Sequence, residues 1–237
     1  MPPHQAFHDA MPAPSWTTEL LARARRLFLL KLLGTSAFIT LFFIAYLHLL
    51  KNPIYPVVTM PLTAVDHVIG FQPFALSIYA TLWVYVGIPP AFFRLRGDLV
   101  SYGLAAAGVC ATGLLIFFFW PTAVPSQPLD WQDYPGSALL KGIDAAGNAC
   151  PSLHVTTALF SGLWLHRLLK EIAAPRVLLL ANILWCAAII YSTLAIKQHV
   201  FLDVAAGALL GWAGAWLSIT RYGSRRLRPA SLTFSFF

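Results

Sequence analysis

Acidic side chains are scarce in this sequence: nine aspartates and glutamates in 237 residues, with charged residues of both signs amounting to 11%. A soluble domain carries about a quarter. That deficit, set against 58% hydrophobic residues, excludes an ordinary water-soluble enzyme and indicates a membrane protein. Cysteine is rarer still. Cys110, Cys150 and Cys186 form no CxxC pair, so neither a zinc site nor a disulfide framework is signalled, and small buried hydrophobes are their expected role. No internal repeat is visible, which leaves an inverted-repeat transporter without support. A soluble basic domain of the kind that nucleic-acid binding needs is also missing, despite a net charge of +7.

What the chain does have is apolar runs. Crossing a hydrocarbon core of about 30 Å takes roughly 20 helical residues, and six stretches qualify: 32–50, 74–93, 99–120, 148–169, 177–196 and 199–220. The expected fold is all-α, a six-transmembrane helical bundle over residues 27–221. It is flanked by a flexible cytoplasmic tail, 1–26, and a basic cytoplasmic tail, 222–237. Pro89 and Pro90 should kink or end the second run. The first is read as a retained span, because it is long for a signal peptide and no small-x-small cleavage site precedes Lys51.

Basic residues set the orientation. With a cytoplasmic N-terminus, the inner segments hold Arg23, Arg25, Arg26, Lys31, Arg94, Arg96, Arg167, Lys170, Arg176, Arg221, Arg225, Arg226 and Arg228, while only Lys51, Lys141 and Lys197 lie outside. The positive-inside rule expects that bias, and it accounts for the net charge through basic clusters that can meet anionic headgroups. In a bacterium the outer face would be periplasmic and the chain would reside in the inner membrane.

Against this apolar background the polar residues of "NACPSLHV" (148–155) and "IKQHVFLD" (196–203) stand out. Both stretches open a predicted span on the outer face, so Ser152 and His154 should meet Lys197, His199 and Asp203 there. Ionisable groups at membrane depth are costly and by default suggest function. His199 and Asp203, four apart, share one helical face, so the carboxylate can hold one imidazole nitrogen and leave the other as a nucleophile or base. His154 has Thr157 and Ala158 at those spacings and no acid, which suits a group that gives and takes back a proton. Ser152 after Pro151 is an ordinary helix-start pattern. The same start offers unpaired N–H groups and a positive dipole end to a phosphate.

"PSLH" followed by Ser192-Thr193-x5-His199-x3-Asp203 resembles the second and third motifs of the type 2 phosphatidic acid phosphatase and vanadium haloperoxidase superfamily. The wording is similar to its membrane branch that includes inositol phosphorylceramide synthases. The resemblance covers roughly residues 50–220 and implies a phosphatase-haloperoxidase-like core. It implies that His199 attacks phosphorus to form a phosphohistidine, that Asp203 orients it, and that His154 protonates the departing alkoxide. It further implies no metal or other cofactor, and a phospholipid or isoprenoid phosphate from the bilayer as substrate.

The chain departs from that family in its basic residues. There is no K-x6-R-P motif, and Thr193 stands where an arginine would follow the serine of the third motif. Leu153 replaces a usual glycine, which a site using only the backbone N–H tolerates. The bidentate guanidinium clamps being absent, Lys197 and then Lys141 are the expected replacements, ahead of Lys51. Asp66, His67, Asp130, Asp133 and Asp144 are read as groups of wetted outer loops. Three readings remain: a lipid phosphate phosphatase, a phosphotransferase passing a phosphoryl or headgroup-phosphoryl unit to a hydroxyl acceptor, and a transporter, proton relay or metal site using the same histidines.

Overall fold

The computed structural model describes residues 15–126 and 147–227, without the side chains of 225–227. The described chain is mostly helical. Helix α1 (Trp16–Arg25) is capped by Ser15, whose side chain accepts the Thr18 N–H. The expected tail is therefore helical from Trp16 onward. Arg23 anchors that helix: its guanidinium donates to the Phe92 carbonyl at 3.3 Å and pairs with Glu19 and Glu171 at 2.7 and 3.5 Å. Leu27, in the left-handed region with φ of 59°, turns the chain into α2 (Phe28–Lys51).

Beyond α2 come β1 (Val58–Thr59), α3 (Ala64–Val68), α4 (Ala75–Ala80), α5 (Leu82–Ala91), α6 (Arg96–Phe119) and β2 (Thr122–Ala123). The short strands pair in parallel, Val58 with Thr122 and Thr59 with Ala123. They tie the end of α2 to the end of α6. The last three helices are α7 (Leu153–Glu171), α8 (Arg176–Ala195) and α9 (Phe201–Leu227).

By length and composition α2, α6, α8 and α9 can each cross a membrane, which fits an integral membrane protein. The expected second run is instead two helices, α4 and α5, meeting at Thr81. The Thr81 hydroxyl donates to the Ile78 carbonyl and accepts the Trp185 indole N–H, so the interruption is held by α8. Pro89 and Pro90 fall in the last turn of α5. Having no N–H, they leave the carbonyls four residues earlier without their ladder donors, and the helix stops at Ala91. The basic C-terminal stretch also differs from expectation, since α9 continues through Leu227.

Helix α7 is the central rod. Val155, Ala158, Phe160, Trp164 and Leu168 are buried against its neighbours, and Phe93, Tyr102, Phe160, Trp164 and Tyr222 form a cluster of rings in edge and tilted contacts. Three polar side chains inside this core find partners, as an apolar surround favours. Tyr85 donates to Asn182 Oδ1 at 2.7 Å, Asn182 Nδ2 donates to the Gly162 carbonyl at 3.0 Å, and Trp164 Nε1 donates to Ser218 at 3.0 Å.

The contact that positions the site is a seam of glycines on α9. A Cβ at Gly207 would lie 2.4 Å from the Ser152 carbonyl oxygen, and one at Gly211 would lie 2.5 Å from that of Thr156. Only glycine lets the two backbones approach so closely. The Thr156 hydroxyl, donating to the Ser152 carbonyl, also sits 2.9 Å from the Gly207 carbonyl. The Ser152 N–H donates to the Asp203 carbonyl at 3.0 Å. The N-terminal ends of α7 and α9 are thus joined backbone to backbone.

Candidate active site

The turn that delivers His199 is built from the end of α8. Lys197 takes a left-handed φ of 62°, and the Thr193 carbonyl accepts the N–H groups of both Gln198 and His199, at 3.1 and 3.2 Å. Thr193 itself is fully buried, its hydroxyl donating to the Ile190 carbonyl. The residue in the family's arginine position therefore fixes the turn rather than reaching into it. Helix α9 then starts under two carboxylates. Asp203 Oδ2 accepts the Val200 N–H at 3.0 Å, and Asp66 Oδ1 accepts the Phe201 N–H at 2.8 Å, the usual way of satisfying orphan donors and complementing the dipole.

His199 Nδ1 lies 3.5 Å from Asp203 Oδ2, with Asp203 wholly buried and the imidazole side chain 12% exposed. That separation is longer than a hydrogen bond of ordinary length. Among the described residues, His199 Nδ1 and Asp203 Oδ1 have no hydrogen-bond partner, so a small rotation of either side chain closes the pair. Nε2 is then the nitrogen left for a substrate.

His154 comes from the first turn of α7. Its Nε2 is 3.3 Å from the Tyr79 carbonyl oxygen. A carbonyl can only accept, so Nε2 carries the hydrogen and Nδ1 holds the lone pair. The imidazole stacks on the Tyr79 ring at 3.8 Å and 10°, with Trp83 edge-on at 5.9 Å. Its orientation is therefore set by α4 and α5, a contact not legible in residues 148–155. To act as an acid the ring must first take a second proton, on Nδ1.

Ser152 is fully buried, its hydroxyl oxygen accepting the Val155 N–H at 3.2 Å as the cap of α7. The N–H groups of Leu153 and His154, ahead of the first helical bond, have no acceptor among the described residues. The Leu153 side chain packs against Gly113 of α6. Both histidines line one cavity of about 420 Å³, with Asn148, Gln198 and Leu153 beside them. The structure thus brings His154, His199, Asp203, Ser152 and Leu153 to one end of the bundle.

The lysines do not gather in the same way. Lys197 donates from Nζ to the Asp66 carbonyl at 2.9 Å and to the Ile69 carbonyl. Its ammonium is engaged on backbone oxygens of the α3 segment, and Lys197 does not line the cavity, whereas a phosphate clamp is expected there. Lys141, with Asp130, Asp133 and Asp144, lies outside the described residues.

Asp66 is the residue that sequence reasoning misplaced. It is 7% exposed, and its Oδ2 accepts both the N–H and the hydroxyl of Thr63 while Oδ1 holds α9. The Thr63-x-x-Asp66 spacing is a capping pattern that could have flagged its local half. The other half spans far-apart segments and left no local signal. Asp66→Asn is expected to destabilise the protein by about 1–3 kcal/mol, read as a lower Tm in detergent, and to lower activity by loosening the turn that carries His199.

The family described as the PAP2 superfamily matches residues 98–227. No curated protein and no solved structure matches the chain. The family match takes in α6 to α9, and with it the joint that unites His154 with His199 and Asp203. Spanning more than half of the sequence, it establishes that this chain belongs to the PAP2 superfamily, whose members are phosphatases, related phosphotransferases or haloperoxidases.

Proposed function

We propose that the protein is an integral-membrane lipid phosphate phosphatase, hydrolysing a phosphomonoester or diphosphate lipid through a phosphohistidine. One observation carries the reading: two imidazoles, one from the first turn of α7 and one from the turn ahead of α9, border a single cavity, and one of them has a buried carboxylate 3.5 Å away. His199 Nε2 attacks phosphorus, the ester P–O bond breaks, and His154 gives a proton to the departing alkoxide. Water then loses a proton to His154 and attacks the phosphohistidine. The P–N bond breaks, inorganic phosphate leaves, and both imidazoles return to their starting states. Asp203 stabilises the positive charge on His199 during the attack, and the free N–H groups of Leu153 and His154 receive the phosphoryl oxygens.

The reading includes six crossings, formed by α2, the α4–α5 pair, α6, α7, α8 and α9, in a bacterial inner membrane with the site on the periplasmic side. Its support is the clustering of cations at the opposite end. Arg23 joins the ends of α1, α5 and α7 there, and Tyr222 of α9 donates to Glu171 at 3.2 Å.

Purified protein in detergent, with chelator present, should release phosphate from phosphatidic acid, phosphatidylglycerol phosphate or undecaprenyl diphosphate. Release from none of them would end the hydrolase reading.

A second reading, transfer to a lipid alcohol in the manner of inositol phosphorylceramide synthases, is favoured by one observation. With Thr193 in the arginine position and Lys197 spent on carbonyls, the described residues give the outer end of the cavity no cationic side chain, which suits a singly charged diester better than a phosphomonoester. Product formed only when a lipid alcohol is supplied would decide for transfer. Lys197→Met separates bracing from phosphate binding: KM should stay within about twofold while Tm falls, whereas a clamp lost from the phosphate would raise KM by about tenfold or more.

A further inference from the structure

The cavity that begins at the two imidazoles extends far beyond them. Its wall follows α2 from Tyr46 down to Lys31, and from position 46 to position 31, at about 1.5 Å per residue, that is about 22 Å. One leaflet's share of the hydrocarbon core is only about 15 Å. Polar groups cluster at the mouth, where His154, His199, Gln198 and Asn148 stand, whereas rings and aliphatic side chains such as Phe38, Phe42, Leu76 and Leu82 form the shaft. The floor is closed by Lys31, whose ammonium donates to the Arg23 and Ala91 carbonyls at 2.6 and 3.0 Å.

A polar mouth on a long apolar shaft has the shape of a single-chain amphiphile. The shaft is longer than one leaflet's half-thickness and runs along α2, the course one extended chain would take. Two glycines line the inner part of the shaft, Gly34 on α2 and Gly103 on α6. A Cβ added at either would meet nothing within 4 Å, so each borders open space: Gly103 is half-buried, and Gly34 is exposed where the shaft opens along α2.

We infer that the shaft holds one extended hydrocarbon chain of the lipid whose phosphate sits at His199, and that Gly34 and Gly103 set the length of chain accepted. The inference rests on the phosphatase reading for its polar end alone. Any second chain of the substrate stays in the bilayer, and the floor at Lys31 ends the shaft because a methyl terminus gains nothing by displacing an ammonium from two carbonyls.

The test uses octyl, dodecyl and hexadecyl phosphates in mixed micelles, with full-length protein. Wild type should favour hexadecyl over octyl phosphate by at least about tenfold in kcat/KM, since each buried methylene adds to binding. Gly34→Phe and Gly103→Phe should erase that preference while leaving octyl turnover within about twofold, which also shows that the variants are folded. Gly108→Phe, on the exposed side of α6 with nothing near its Cβ, should keep the wild-type profile. In parallel, displacement of fluorescent parinaric acid by hexadecanol reads chain binding without catalysis. It should persist in His199→Ala and weaken at least about tenfold in Gly34→Phe. Should no alkyl phosphate be hydrolysed while the displacement pattern holds, the phosphatase reading falls and the chain site stands. Unchanged chain-length profiles and unchanged displacement in both phenylalanine variants would overturn the inference.

Discussion

His199→Ala is expected to lower phosphate release by at least about 10⁴-fold, because removing a covalent nucleophile eliminates the pathway that its partners serve. Fold and melting temperature should change little. The side chain is at the mouth of the cavity, its Nδ1 has no hydrogen bond, and the turn beneath it is held by backbone bonds to Thr193. A companion variant sharpens the result. His154→Ala should slow both halves of the reaction, and a substrate with a good leaving group, such as a nitrophenyl ester, needs no proton from His154 in the first half. Radiolabelled phosphate should then accumulate on the protein in His154→Ala and be absent in the His154→Ala, His199→Ala double variant. Full turnover by His199→Ala would end the mechanism.

Gly207→Val is expected to be nearly as damaging although the residue touches no substrate. Its Cβ would sit 2.4 Å from the Ser152 carbonyl oxygen and 3.2 Å from both the carbonyl carbon and the nitrogen of Ser152. These are backbone atoms at a helix start, so no side chain can swing aside. Overpacking of this kind costs about 1–3 kcal/mol, and relief requires α9 to move off α7. That motion would draw Asp203 and His199 away from His154, and a displacement of about 1 Å at a reacting centre costs about 100-fold. The expected outcome is a loss of about 100-fold in kcat with a protein that remains folded, seen as a lowered but cooperative melting transition. Gly108→Val, on the exposed side of α6, should behave as wild type in the same assay. Comparable activity for both variants would show that the glycine seam does not position the site.

The residues that sequence reasoning placed well are those whose geometry is local. Ser152 before an apolar run caps α7 as its position implies. His199, by contrast, lies in the turn ahead of α9, so its approach to Asp203 comes from that turn and not from a shared helical face. The apolar runs of α2, α6, α8 and α9 carry their own length. Where the reading fell short, a distant segment decides. Lys197 looked available because nothing near it in sequence competes for its ammonium, whereas the competing carbonyls belong to Asp66 and Ile69. Asp66 looked solvated because the N–H that it caps lies at Phe201. The division of the second run at Thr81 has no glycine or proline to announce it. It depends instead on a hydroxyl that serves Ile78 and Trp185 together. The N-terminal stretch reads as a tail from its prolines and scattered polar groups, yet Arg23 finds Glu171 and Phe92 at the inner ends of α7 and α5.

The division at Thr81 has a further effect on His154. Tyr79 belongs to the final turn of α4, and its carbonyl meets the imidazole. Its ring and that of Trp83, one on each side of the bend, meet the same imidazole. The seat of the ring is consequently shared between two short segments whose relative direction the bend at Thr81 sets. Engineering at the bend offers a handle for shifting the imidazole of His154 while the reacting side chains stay as they are.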